Sequence, residues 1–201
     1  MSTVTDAIAK DHREIEQYFN EVINSNDHDH QQRFGNQFTW ELARHSIAEE
    51  LIVYPAFEKC LGLEGKEKAD KDRQEHHKAS LAQVKEMLKV FQNMKSTDPN
   101  YVPKIKKLMT DLSEHIKDEE QDDLPALETA LSKGDNQGVS ESLAKNFGRT
   151  KAFVPSRSHP SAGENPPFES VMGLLTAPID HIADIFRKFP DKTINPNPST
   201  K

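Results

Sequence analysis

The chain has 201 residues, 34% of them hydrophobic, and sets 26 Lys and Arg against 33 Asp and Glu, for a formal net charge of −7. An acidic balance of this size excludes wholesale phosphate neutralisation, so nucleic acid is not an expected partner. A single cysteine, Cys60, excludes an intramolecular disulfide framework and a zinc ribbon and points to a reducing compartment. Met1 to Lys10 (MSTVTDAIAK) has no apolar leader, and no apolar run is long enough to span a bilayer, so the expected protein is soluble, cytoplasmic and independent of membranes. Nine histidines in a chain this poor in core residues are the unusual feature.

Four prolines lie in residues 1–150 (Pro55, Pro99, Pro103, Pro125) and eight between Pro155 and Pro198, which predicts a helical body followed by a broken tail. Apolar residues in the body recur at steps of three and four, with no sustained alternation of the strand type. Helix one is predicted over about Thr5 to Ile23, capped by Thr5 or Asp6, with Ile8, His12, Ile15, Phe19 and Val22 on one stripe. Helix two covers about Gln32 to Cys60, carries Phe38, Leu42, His45, Glu49, Ile52 and Ala56, and is kinked or ended by Pro55. Helix three, about Lys66 to Met94, carries His77, Leu81, Val84, Leu88 and Phe91, and helix four, from Pro103 towards Pro125, carries Ile105, Leu108, Leu112, His115 and Glu119.

Long helices joined by short polar links predict an all-α fold, an antiparallel four-helix bundle over residues 1–130. Residues 131–201 are expected to be a helical, proline-rich extension. Short helices are predicted at Leu124 to Leu131, Val139 to Phe147, Phe168 to Leu175 and Ile179 to Phe189, with Phe153 to Pro167 irregular and Asn195 to Lys201 frayed. The apolar residues of the extension, Phe153, Val154, Phe168, Val171, Leu174, Leu175, Ile179, Ile182, Ile185 and Phe186, are expected to pack across the bundle.

Residues four apart on a helix share a face. His45 and Glu49, and again His115 and Glu119, repeat one His-x-x-x-Glu spacing on inward stripes, each preceded by a helix with an inward histidine: His12, then His76 or His77. Two unpartnered carboxylates in a short core would each cost several kcal/mol. A bound cation reverses that sign, because it takes neutral imidazole and ionised carboxylate as ligands. Six N and O ligands are too many for one tetrahedral zinc and too rich in imidazole for calcium or magnesium, which points to two metal ions with bridging carboxylates, iron first and manganese second. Ferritin-like bundles place Glu before His at a spacing of three; this order and spacing differ.

The chain resembles the hemerythrin-like HHE cation-binding family over about residues 5–130. Four motifs carry the resemblance: Asp11-His12-Arg13-Glu14; His45-Ser-Ile-Ala-Glu49-Glu50 with Tyr54-Pro55; Asp72-Arg73-Gln74-Glu75-His76-His77; and His115-Ile-Lys-Asp-Glu119-Glu120 with Asp123-Leu124-Pro125. The tail from Lys151 to Pro190 is similar to an extension found in a subset of these proteins. The resemblance implies a non-haem di-iron centre binding dioxygen, nitric oxide or peroxide, with His12, His45, Glu49, His115 and Glu119 at ligand positions. On helix three the stripe favours His77, while the family's habit of placing the ligand after a glutamate favours His76. The oxygen carriers of the family have one more histidine a turn later, where this chain has Ser80 or Leu81. A site with fewer histidines is more open, which shifts the expectation from storage towards sensing, iron handling or oxidative chemistry; the alternative is a di-iron oxygenase or a peroxide-consuming enzyme.

The remaining polar residues have plainer expectations. Glu50, Glu120, Asp122 and Asp123 read as a solvated acidic helix end, with an auxiliary ligand as the sharper reading. His28 and His30 belong to a surface loop, His159 and His181 are expected to hydrogen-bond the bundle, and Trp40, Tyr18 and Tyr54 read as packing residues, the two phenols alternatively lying near the metals. The sequence sets no oligomeric state.

Overall fold

The computed structural model describes residues 2–77, 81–133, 138–158, 168–193 and 197–198; at 64–65, 68–77, 81–85 and 168–175 only the backbone is described. Helix α1 (Val4–Ile23) opens on a capping box: the Thr3 hydroxyl accepts from Asp6 N–H and the Asp6 carboxylate accepts from Thr3 N–H, so the cap lies earlier than Thr5. Helix α2 (His28–Ala48) starts four residues before the expected Gln32, because the Asp27 side chain accepts from the backbone N–H groups of Asp29 and His30 and fixes the first turn there.

The helix does not run on unchanged to Cys60. Glu49–Val53 form a π-helical turn in which Tyr54 N–H reaches back to the Glu49 carbonyl, and helix α3 (Tyr54–His77) continues from it. The cause is Pro55, which has no N–H for the ladder and whose ring would collide with the carbonyl four residues earlier; one extra residue in the turn removes the clash. The same device recurs after α5 (Tyr101–Asp118): Glu119–Asp123 form a second π-helical turn, Leu124 N–H bonds to the Glu119 carbonyl, and Pro125 sits at the start of α6 (Leu124–Leu131). Within α3 the chain bends at Gly62, where φ is 63°, a left-handed value that glycine adopts without a Cβ penalty. The expected third helix corresponds to the second half of α3 and to α4 (Leu81–Phe91), the residues between them lying outside the described ones.

These helices form the bundle, with α1 packed on α2 and α5, and α4 packed on α5. Its core is split in two. Ile15, Tyr18, Phe38, Leu42, Phe91, Tyr101, Ile105 and Leu112 belong to one apolar cluster, whereas Val4, Ile8, Ala48, Val53, Tyr54, Phe57, Leu124 and Leu127 belong to another. Tyr18 and Tyr54 are thus core residues, one in each cluster.

Helix α7 (Val139–Lys151) packs on α1, α2 and the first π-helical turn, with Phe147 joining the second core cluster. It extends four residues past the expected Phe147. Pro155 to Ser158 are irregular, as expected, yet buried: Arg157 and Ser158 hydrogen-bond to Gln92. Helix α8 (Phe168–Asp184) runs through Pro178 as one helix where two were expected, since helical residues flank the proline on both sides. It turns Ala177, Asp180 and Asp184 inward, and Asp184 is satisfied by Ser156 and Arg187. Ile179, Ile182, Ile185 and Phe186 consequently point outward, as does Phe153, against the expectation that they cover the bundle. Arg33 and Asn36 of α2 donate to the carbonyls of Phe189 and Lys188, Lys188 pairs with Asp29, and Trp40 packs edge-on against Phe189, so this part of the tail is anchored on α2. No helix of the described residues is long and apolar enough to cross a membrane.

Candidate metal centre

The two apolar clusters are separated along the bundle by a polar layer. On α1 His12 falls between Ile8 and Ile15, on α2 His45 falls between Leu42 and Ala48, and His115 with Glu119 follows Leu112 and precedes Leu124; all are buried. His12 and His45 meet edge to face, with ring centroids 4.9 Å apart. His45 Nε2 is 2.8 Å from Glu49 Oε1, and His12 Nε2 is 3.3 Å from Glu119 Oε2. One ligand atom each from His12, His45 and Glu49 lies within 4.8 Å of the others, close enough to share one cation. Helix α3 carries His76 and His77, whose side chains lie outside the described residues, so the choice between them is made by the stripe and the family habit alone.

The π-helical turns set this geometry. An extra residue in each turn rotates the inward stripe by one position, so that Glu49, Val53 and Tyr54 are all buried in one half and Glu119, Asp123 and Leu124 in the other. Glu49 and Glu119 are followed by Pro55 and Pro125 at the same distance, a signal in the sequence that predicts both turns. Among the buried positions in which the halves differ, Val53 is apolar where Asp123 is a carboxylate that contributes negative charge towards His115. Asp123 is therefore no solvated helix end, whereas Asp122 is exposed as expected.

The donor set fits a cation. Glu119 is wholly buried, yet neither of its carboxylate oxygens accepts a hydrogen bond, and Glu49 Oε1 and His12 Nε2 are in the same condition although each has a polar neighbour within 3.3 Å. Groups that crowd together without pairing are costly unless a third party satisfies them. Imidazole nitrogen and carboxylate oxygen without thiolate are the donors that borderline and hard divalent ions accept.

A second set of side chains holds the first in place. His12 Nδ1 bonds to Glu120 Oε1 at 2.8 Å, and Arg13 grips both oxygens of Glu120 at 2.5 Å. His45 Nδ1 faces Asp11 Oδ2 at 3.4 Å, and Lys151 Nζ donates to Asp11 and to Glu41. In both cases the carboxylate fixes Nδ1 as the protonated nitrogen and leaves Nε2 facing the layer. Glu120 and Asp11 are thus positioning residues that the stripe analysis overlooks, because each is adjacent in sequence to an inward residue and so points about 100° away on its own helix. Each reaches a histidine on the neighbouring helix instead. The signal available in the sequence was the acid beside each ligand, Asp11 before His12 and Glu120 after Glu119.

Electrostatics separate the three imidazoles. Burial pushes His45 down, but the Glu49 charge and the Asp11 hydrogen bond outweigh it and hold the ring up at about 10. Burial also opposes charge on His12, and the neighbouring Glu119 carboxylate and the bond to Glu120 raise it. His115 goes the other way: burial lowers it, and the Glu119 charge does not compensate. Burial raises Asp11, while the His45 hydrogen bond and the Lys151 charge bring it to about 2, so it is ionised at neutral pH.

Other histidines lie apart from this layer. His28 bonds to Gln31 and His30 to Glu21 near the surface. His181 bonds to the Val154 carbonyl at 3.1 Å, within the extension instead of the bundle, because α8 presents it to the irregular segment after α7. His159 lies outside the described residues.

A family model for the Hemerythrin HHE cation binding domain matches residues 3–127. The chain belongs to the hemerythrin HHE cation-binding family. An uncharacterised hemerythrin-like protein of Schizosaccharomyces pombe is 50% identical over 190 residues, covering 94% of this chain and 89% of that protein, so the likeness includes the extension. A DNA nickase of Nostoc is 26% identical over 154 residues, 77% of this chain, which spans only 40% of that protein. The crystal structure of an HHE cation-binding domain-containing protein from Mycobacterium kansasii superposes with a TM-score of 0.59 at 19% identity, covering 76% of this chain and 89% of that one, and shows the shared fold. As an HHE protein, this chain has a cation-binding domain.

Proposed function

We propose that this HHE protein is a non-haem di-iron protein that binds dioxygen or a related small species, nitric oxide or peroxide, in sensing, storage or iron handling. His12, His45, Glu49, His115 and Glu119, with His77 of α3 or His76 in its place, would hold the two ions, with manganese the second candidate. The observation that carries this reading is Glu119: a fully buried carboxylate, unbonded at both oxygens, beside the equally unbonded Nε2 of His12. Bound iron would supply positive charge to these carboxylates and open coordination positions for a small ligand.

The chain's own residues do the rest. Glu120 and Asp11 keep the Nδ1 protons of His12 and His45 in place, so that Nε2 faces inward. Because neighbouring carboxylates favour the protonated forms of His12 and His45, and a cation takes the neutral ring, cation uptake would be opposed by protons and weaken as pH falls. Phe147 closes the layer on the α7 side, its ring 5.9 Å from that of His45. The cavity of about 810 Å³ beside α7 ends at Asp11, Phe147 and Lys151, and none of the proposed ligands lines it. The acidic balance supports partners other than nucleic acid.

Metal analysis of protein expressed in iron-rich medium tests the reading. The expected result is two iron ions per chain in the wild type and loss of both in a His45→Ala/His115→Ala variant that keeps its helical circular dichroism. Protein without stoichiometric iron, or equal loading of the variant, would overturn it. With iron present, reversible oxygenation supports binding, and turnover of peroxide supports the enzyme.

A further inference from the structure

The cavity of about 810 Å³ lies between α1, α2, α7, the His181 and Asp184 side of α8, and Asn197 to Pro198 of the tail, outside the polar layer. Its volume falls within the range of about 300–1,000 Å³ typical of small-molecule sites. Its walls are mainly carbon, with the rings of Trp40 and Phe147 among them, and its charged groups are not all committed. Lys151 is consumed by Asp11 and Glu41 beneath the floor, and Asp184 by Ser156 and Arg187. Arg44 remains on the wall, its guanidinium flat on Trp40 at 3.5 Å and its Nε tied to the Lys151 carbonyl. Arg44 Nη1 is buried without a hydrogen bond and is 3.7 Å from Glu41. Lys145 is exposed on the rim, with Glu141 the acid on the same helix face.

We propose that this cavity binds a small amphipathic organic anion, a carboxylate or sulfonate on an apolar body, with the anionic group between Arg44 and Lys145 and the apolar body along α7. A stacked guanidinium presents its edge as a planar donor while its face stays covered, which suits a carboxylate or sulfonate better than a neutral group. An occupant rests on Lys151, the same side chain that holds Asp11 against His45. Binding itself does not depend on the metal reading.

Fluorescence titration of the full chain with 1-anilinonaphthalene-8-sulfonate tests this, with the uncharged N-phenyl-1-naphthylamine as second probe. Gly148 lines the cavity and a Cβ there meets nothing within 4 Å, so Gly148→Trp is the variant chosen to occupy it, with helical circular dichroism checked against the wild type. Expected are one saturable site for the sulfonate, loss of both probes in Gly148→Trp, and at least fivefold weaker sulfonate binding in Lys145→Glu and Arg44→Met with the uncharged probe unchanged. Ile182→Ser and Phe186→Ser on the exposed face of α8 should change neither probe. No saturable site, undiminished binding in Gly148→Trp, equal weakening of both probes in Lys145→Glu, or loss through the α8 variants would each overturn the proposal.

Discussion

Lys151 Nζ lies 2.5 Å from Asp11 Oδ2, joining residues 140 apart in sequence. The contact links the extension, which lies beyond the residues matched by the family model, to the carboxylate that faces His45. The extension is thereby part of the frame that orients the polar layer, and not merely a cover.

Lys151→Met should leave Asp11 and Glu41 buried without their cation and lower stability by about 3–5 kcal/mol. Urea unfolding checks this. A Lys151→Met/Asp11→Asn/Glu41→Gln variant should recover most of the loss, because the uncompensated charges are gone.

Glu120→Gln keeps an acceptor for His12 Nδ1 but removes the charge that favours it, and also releases Arg13. On the proposed function, affinity for a divalent ion should fall by about 10–100-fold with the fold intact. Competitive titration with cobalt, read by its absorption bands, measures the change.

Asp11 predicts a pH window in protein kept free of metal by a chelator. Its folded pKa is depressed to about 2 from 3.8, so its contribution is fully present above the unfolded value and is lost as pH falls through about 2. The stability gap between wild type and Asp11→Asn should be flat between about pH 4 and 6, below the range in which His45 titrates, and close by about 2 kcal/mol on further acidification. A gap that widens on acidification would refute the assignment.

Metal removal should lower Tm by several degrees or more, since the ions would satisfy buried carboxylates that the apo protein leaves unbonded. Differential scanning calorimetry before and after chelation reads this directly. The shift should vanish in Glu49→Gln/Glu119→Gln.

Two glycines predict opposite signs. A Cβ at Gly35 would meet Tyr101 Oη at 1.8 Å, where α2 approaches the start of α5, so Gly35→Ala should cost about 1–3 kcal/mol. Gly148 lies in α7 with open space around it, and Gly148→Ala should stabilise by about 0.5–1 kcal/mol. Chemical denaturation of both variants distinguishes them.

Much of the centre was legible in the sequence. His12, His45, Glu49, His115 and Glu119 were identified from a 3.6-residue period that any helix must obey, and the structure buries all five. Asp123, read as part of a solvated helix end, lies four residues past Glu119 and is buried on the same face, and the π-helical turn rotates the next residue, Leu124, inward as well. The period fails on α8, where the Ile179, Ile182 and Phe186 stripe reads as a core face but points outward, because Asp180 and Asp184 take the buried side and Asp184 is held there by Ser156 and Arg187.

What the sequence determined alone was the all-helical body, the four inward stripes and the imidazole and carboxylate pairs upon them, since spacing along a helix is a local property of the chain. Tertiary structure decided which acid supports which histidine. Asp11 serves His45 and not its neighbour His12, Glu120 serves His12, and Lys151 arrives from the extension. Those pairings depend on the distance and rotation between packed helices, which no spacing within a single helix encodes.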